Sequence, residues 1–136
     1  MLEKIIELTN LYIENMPKKE RKKYGQFFTS METARFMASL YECPAGKSCI
    51  KVLDAGAGSG ILSCAFIEWV EQFDYISEID LVCYENDENV LEILKENLEY
   101  CKEKSTKRIK YDIKTENYIT SQYLDFNSMI GGNTTP

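Results

Sequence analysis

The stretch Val52-Leu53-Asp54-Ala55-Gly56-Ala57-Gly58-Ser59-Gly60-Ile61-Leu62, reading VLDAGAGSGIL, decides the fold. Its first residues complete a short apolar strand predicted over residues 50–54, and the apolar run after Gly60 predicts a largely buried helix over 61–73. Between them glycines alternate at 56, 58 and 60, behind an acid at the strand's end. A dinucleotide-binding turn reads G-x-G-x-x-G, its third glycine permitting close packing of helix on strand. Counted from Gly56 that position holds Ile61, so the pattern here is D-x-G-x-G-x-G.

Alternating glycines let the backbone pass close under a bulky ligand. A carboxylate at the strand end would repel a pyrophosphate and suits a cationic group. S-adenosyl-L-methionine carries an α-ammonium and a sulfonium and matches that charge. The competing reading of the same residues is a tight strand-to-helix turn whose glycines serve packing alone.

Working outward, residues 79–85 (IDLVCYE) read as a second strand ending in an acid, Glu85. Residues 87–102 form an amphipathic helix with Val90, Leu91, Leu94, Leu98 and Cys101 on one face. Residues 108–115 (RIKYDIKT) alternate like a third strand. Strand, helix, strand, helix, strand implies a parallel α/β sheet with right-handed crossovers. Ligands of such sheets lie at the carboxyl ends of the strands, where Glu85 would accept both hydroxyls of a ribose. Its alternative role is an acid at the N-terminus of the next helix, beside Asn86 and Asp87.

Toward the N-terminus, residues 2–16 form an amphipathic helix stopped by Pro17. KKERKK at 18–23 holds five basic residues in six and reads as a solvated linker between helices or as a source of phosphate contacts. A second helix is expected from about 29 to 41, with Thr29 and Glu32 at capping-box spacing. Pro44, Gly46 and Lys47 mark a loop.

A chain of 136 residues fits one domain with a real core. Sixteen basic against 22 acidic side chains leave a net charge of −6, which argues against general attraction to nucleic acid or anionic membrane. No apolar run approaches the ~20 residues that span a bilayer. The N-terminal helix carries acids within its apolar pattern and is not a secretory signal. The five cysteines lack C-x-x-C spacing and lie mostly in apolar runs, so a reduced, cytoplasmic protein is expected. The chain has no histidine, which excludes His-dependent triads and the common zinc ligand sets. No metal site is expected.

Four blocks, in order, resemble the first half of gamma-class adenine-N6 DNA methyltransferases of type II restriction–modification systems. They are YGQFFTSMETARFM (24–37), LDAGAGSGIL (53–62), VCYEND (82–87) and YLDF (123–126), and the resemblance covers about residues 18–126. It implies S-adenosyl-L-methionine as cofactor and DNA as partner through a part of the parent protein beyond this chain. It implies that Gln26, Phe28 and Thr29 seat the methionine end, and that Asp54, Ala55, Gly56 and Gly58 line the amino-acid and sulfonium region. Glu85 would take the ribose with Asn86 beside the adenine. The Asp125 carboxylate would accept from the exocyclic amine, and the Phe126 backbone would meet the adenine ring.

Two departures from the family are visible. Ser30 stands where a proline is usual, a mild change at a first helical turn. The family's catalytic N-P-P-Y segment is absent, since prolines occur only at 17, 44 and 136. The expected fold class is α/β, a partial class I S-adenosylmethionine-dependent methyltransferase (Rossmann-like) sheet with flanking helices and an N-terminal helical extension. Residues 1–46 would be the helical segment, 47–128 the first half of the cofactor domain, and 129–136 a polar tail or cut linker. A chain so built would not be competent for catalysis alone. The first strand would be an uncovered sheet edge, inviting self-association. The alternatives are a non-catalytic module binding cofactor or partner, and part of a protein-glutamine or small-molecule methyltransferase.

Overall fold

Three short segments whose alternate residues are mostly apolar and wholly or partly buried make the sheet. The computed structural model describes residues 1–25 and 29–119. β1 (Cys49–Asp54), β2 (Glu78–Tyr84) and β3 (Arg108–Lys114) pair in parallel in that order, with Ile50 opposite Ile79 and Ile79 opposite Ile109. The connections are α4 (Ile61–Val70) and α5 (Glu88–Lys104). Sequential strand order with right-handed crossovers puts both helices on one face. Ile50, Ile79, Leu81, Cys83 and Ile109 are buried there with Ile67, Val70, Leu94 and Leu98.

The opposite face alternates in charge across the strands: Lys51 lies beside Asp80 and Asp80 beside Lys110. Lys110 Nζ also reaches Glu78 Oε1 at 3.1 Å. Near the carboxyl ends this face turns apolar, with Leu53 half exposed beside Val82. Among the described residues β1 is an edge strand, as expected from the sequence.

Ahead of the sheet stand α1 (Leu2–Glu14), α2 (Lys18–Gly25) and α3 (Met31–Ser39). The basic run expected to be a linker is helical instead: α2 begins directly after Pro17, whose carbonyl accepts from the N–H groups of Glu20 and Arg21. Pro17 thus stands between α1, which ends at Glu14, and α2, where a residue without an N–H leaves no helical bond unmade. The expected Thr29 cap is also corrected. Ser30 caps α3, its hydroxyl accepting from Thr33 N at 3.3 Å. Serine at the position where proline is usual therefore has a specific job.

Arg35 fastens α1 and α3 to α4. Its Nε donates to Glu68 Oε1 at 2.8 Å and its Nη2 to Glu3 Oε1 at 2.7 Å, while Leu2 N donates to Glu68 Oε2 at 3.0 Å. At the far end of α4, Glu71 accepts from the hydroxyls of Ser105 and Thr106 and from Thr106 N, fixing the turn into β3. Burial pushes both carboxyls up, but these donors outweigh it and hold Glu68 and Glu71 below their ordinary value of 4.5.

A carboxyl with a depressed folded pKa adds stability that is present above the unfolded value and lost as pH falls through the folded one. Melting temperature should therefore hold from neutrality down to about the ordinary carboxylate range and drop below it. In thermal melts from pH 7 to pH 3, Glu71→Gln should melt lower at pH 7 and lose less on acidification. Parallel curves for the two proteins would contradict the assignment.

Candidate cofactor site

The glycine turn is held from three sides at the carboxyl ends of β1 and β2. Ala57 N donates to the Tyr84 carbonyl at 3.0 Å, tying the turn to the end of β2. Gly58 and Gly60 have φ of 56° and 86°, the left-handed region that glycine enters without a Cβ penalty. Gly60 N returns to the Ala57 carbonyl at 2.8 Å, and the Gly60 carbonyl accepts from Cys64 N at 2.9 Å to open α4. A Cβ on Gly60 would stand 2.9 Å from Leu94 Cδ1, whereas one on Gly56 would meet no atom within 4 Å. The glycines therefore divide: Gly60 is required by packing, and Gly56 faces open space.

Of the residues expected at the site, Thr29, Asp54, Gly56 and Gly58 line one cavity of about 100 Å³, with Ala57, Ser59, Ile61 and Leu62. With Ser30 as the cap, Thr29 lines this cavity and a neighbouring one beside α1. Asp54, Ala55 and Gly56 also line a second, more apolar cavity of about 590 Å³ beside the β1 edge, with Met37, Tyr41, Leu53 and Phe66. Gln26, Phe28, Asp125 and Phe126 lie outside the described residues.

Glu85 follows β2 directly and is half buried. Its Oε1 accepts from Gly58 N at 2.7 Å and its Oε2 from Asp87 N at 3.0 Å. Its reading as an acid at the start of the next helix holds: one oxygen serves the start of α5, which Asp87 caps through Asn89 N, while the other grips the glycine turn. Asn86 is exposed beside it.

Two polar residues that the sequence reading leaves out complete the frame. Ser63 Oγ donates to Asp54 Oδ2 at 2.6 Å. Asn97, fully buried on α5, donates from Nδ2 to the Ser59 carbonyl at 2.7 Å and to Thr9 Oγ1 at 3.1 Å. A signal for each was present: Ser63 interrupts the apolar run ILSCAFI, and Asn97 lies between Leu94 and Leu98 on the buried stripe of α5. Among the described residues no cluster of acids and cysteines is arranged to hold a metal ion, and no helix is long and apolar enough to cross a membrane.

No protein-family model matches the chain. Over 82 residues, 60% of its length, it is 37% identical to the type II methyltransferase M.PstI of Providencia stuartii. The match spans 16% of that relative, so the chain accounts for a small part of its length. Among solved structures, a putative O-methyltransferase from Klebsiella pneumoniae superimposes with a TM-score of 0.51 at 15% identity, covering 91% of this chain and 46% of that one. A putative class I S-adenosylmethionine-dependent methyltransferase from Listeria monocytogenes gives 0.51 at 12% identity, covering 77% and 36%. The parallel three-stranded sheet with its helices is thus part of the class I methyltransferase fold.

Proposed function

We propose that the chain is the S-adenosyl-L-methionine-binding portion of a site-specific DNA (adenine-N6)-methyltransferase of a restriction–modification system. The observation that carries this reading is the convergence of Thr29, Asp54, Gly56 and Gly58 on one cavity at the strand ends. The residues fit the cofactor. Asp54 places an acceptor where a ligand's ammonium group would lie, and the space above Gly56 admits a ligand where a side chain would intrude. A carboxylate offers about four acceptor sites, and Glu85 uses two of them on Gly58 and Asp87, leaving capacity for two ribose hydroxyls.

When bound, the cofactor supplies an electrophilic methyl group; the residues of this chain bind and orient it. Thr29, with Gln26 and Phe28, would seat the methionine end, Ala55 would line the sulfonium region, and Asn86, Asp125 and Phe126 would surround the adenine. The similarity to M.PstI, a type II methyltransferase, supports DNA as the substrate class. The four ordered sequence blocks support adenine N6 as the acceptor.

Calorimetric titration with S-adenosylhomocysteine tests the cofactor assignment. The chain should give a saturating isotherm, and Asp54→Ala, shown folded by circular dichroism, should bind at least about tenfold more weakly, the effect of losing one charge-assisted contact. Equal heats in the two proteins would sink the assignment. For the substrate class, the whole protein should move labelled methyl from the cofactor to adenine in duplex DNA. Labelling of a protein glutamine or a small molecule instead would overturn it.

A further inference from the structure

Ser63 occupies the first turn of α4 and is 3% exposed. Serines in helices commonly bond back to their own backbone. This one leaves its helix, reaching Asp54 Oδ2 at 2.6 Å and lying 3.7 Å from Cys83 Sγ. A hydroxyl has one hydrogen and a carboxylate only accepts, so that hydrogen belongs to Asp54 and the Cys83 thiol donates to Ser63. The result is a directed chain, Cys83 to Ser63 to Asp54, from the end of β2 through α4 to the end of β1.

The terminal torsion of an aspartate is broad, and a partly exposed carboxylate at a strand end is free to turn. Fixing Oδ2 on a buried hydroxyl fixes the plane of the group. Oδ1 then has no hydrogen-bond partner among the described residues, and Asp54 lines the cavity with Thr29, Gly56 and Gly58. We propose that Ser63 is a positioning residue, which aims the Asp54 carboxylate at the ammonium group of the methyl donor. The inference rests on the cofactor reading above and adds to it the group that orders its anionic end before the ligand arrives. A contact already in its bound geometry costs less ordering on association.

The test separates the two ends of the ligand. Ser63→Ala should bind S-adenosylhomocysteine about three- to tenfold more weakly, the effect of one hydrogen bond to a charged group. It should bind 5′-methylthioadenosine, which lacks the amino-acid end, with an affinity within about twofold of the parent chain. Ser63→Thr, which keeps the hydroxyl, should restore most of the loss. In the double variant with Asp54→Ala, loss of the hydroxyl should add nothing to the loss from Asp54→Ala alone, because Ser63 acts through that carboxylate. Additive losses, or equal weakening of both ligands, would make Ser63 a merely structural residue and overturn the proposal. If the parent chain binds neither ligand, the methyl-donor reading itself fails. If it binds and Ser63→Ala binds equally well, only the positioning role fails.

Discussion

Gly60→Ala is expected to destabilise the chain by about 2–4 kcal/mol, while Gly56→Ala leaves stability within about 0.5 kcal/mol of the parent. Two costs add at Gly60. Its φ of 86° is left-handed, which costs an L-residue about 1–2 kcal/mol. Its new Cβ would also meet Leu94 Cδ1 at 2.9 Å and Leu98 Cδ2 at 3.9 Å. Both leucines are fully buried, so Leu94 must move within packed surroundings, an overpacking cost of about 1–3 kcal/mol. Melting temperature should fall by roughly 10 °C. At Gly56 neither cost applies, since its φ is not positive and the Cβ would enter open space. The Gly56 variant should instead weaken S-adenosylhomocysteine binding, because the methyl group fills the region the ligand approaches. Thermal melts and titrations on the two variants should thus move opposite observables. If Gly56→Ala melts as low as Gly60→Ala, Gly56 serves packing and the ligand argument for it is lost.

That contrast also shows what the sequence makes legible. The alternation of IKVLD, IDLVCYE and RIKYDIK identifies three strands; the long apolar run of the first intervening segment and the period of the second identify two helices, one buried nearly all round and one along a stripe. Parallel pairing brings Asp54 and Glu85 to the carboxyl end of the sheet, on either side of the glycine turn, and that follows from topology alone. The three glycines look alike in sequence, and only the left-handed backbone and the packing of Leu94 separate Gly60 from Gly56. The helix of residues 18–25 was hidden for a different reason: a run of like charges reads as solvated chain, whereas Pro17 supplies a start whose first turn needs no apolar face. Thr29 and Ser30 are both good caps, and which one acts depends on backbone direction. Ser63 and Asn97 act across the fold, on Asp54 nine residues away and on Thr9 eighty-eight residues away. No local pattern encodes such pairs; a polar residue on an apolar stripe marks only one partner of each.

Asn97→Ala is expected to cost about 2–4 kcal/mol and to loosen the glycine turn from below. The amide orientation is fixed by its partner, since the Ser59 carbonyl only accepts and the group 2.7 Å away must be the NH2. Removing it leaves that carbonyl and the Thr9 hydroxyl, 1% exposed, without their donor in a region closed to solvent. An unpaired buried polar group costs about 1–3 kcal/mol, and the vacated volume adds to this. Because Ser59 stands between Gly58 and Gly60, the same change should speed amide exchange at Gly58 and weaken S-adenosylhomocysteine binding without touching the ligand. Asn97→Asp sharpens the test. It is nearly the same shape, but its ionised form turns two acceptors toward a carbonyl in a buried site. Burial and that carbonyl both favour the neutral acid, so its folded pKa rises above the unfolded value. The stability tied to that proton is present below the unfolded pKa and lost as pH rises through the folded one. The parent chain, governed by Glu68 and Glu71, loses stability toward acid; the aspartate variant should recover part of its deficit there. The gap in melting temperature between the two proteins should therefore narrow from pH 7 to pH 4. A constant gap would mean that Asn97 fills space and donates nothing of consequence to Ser59.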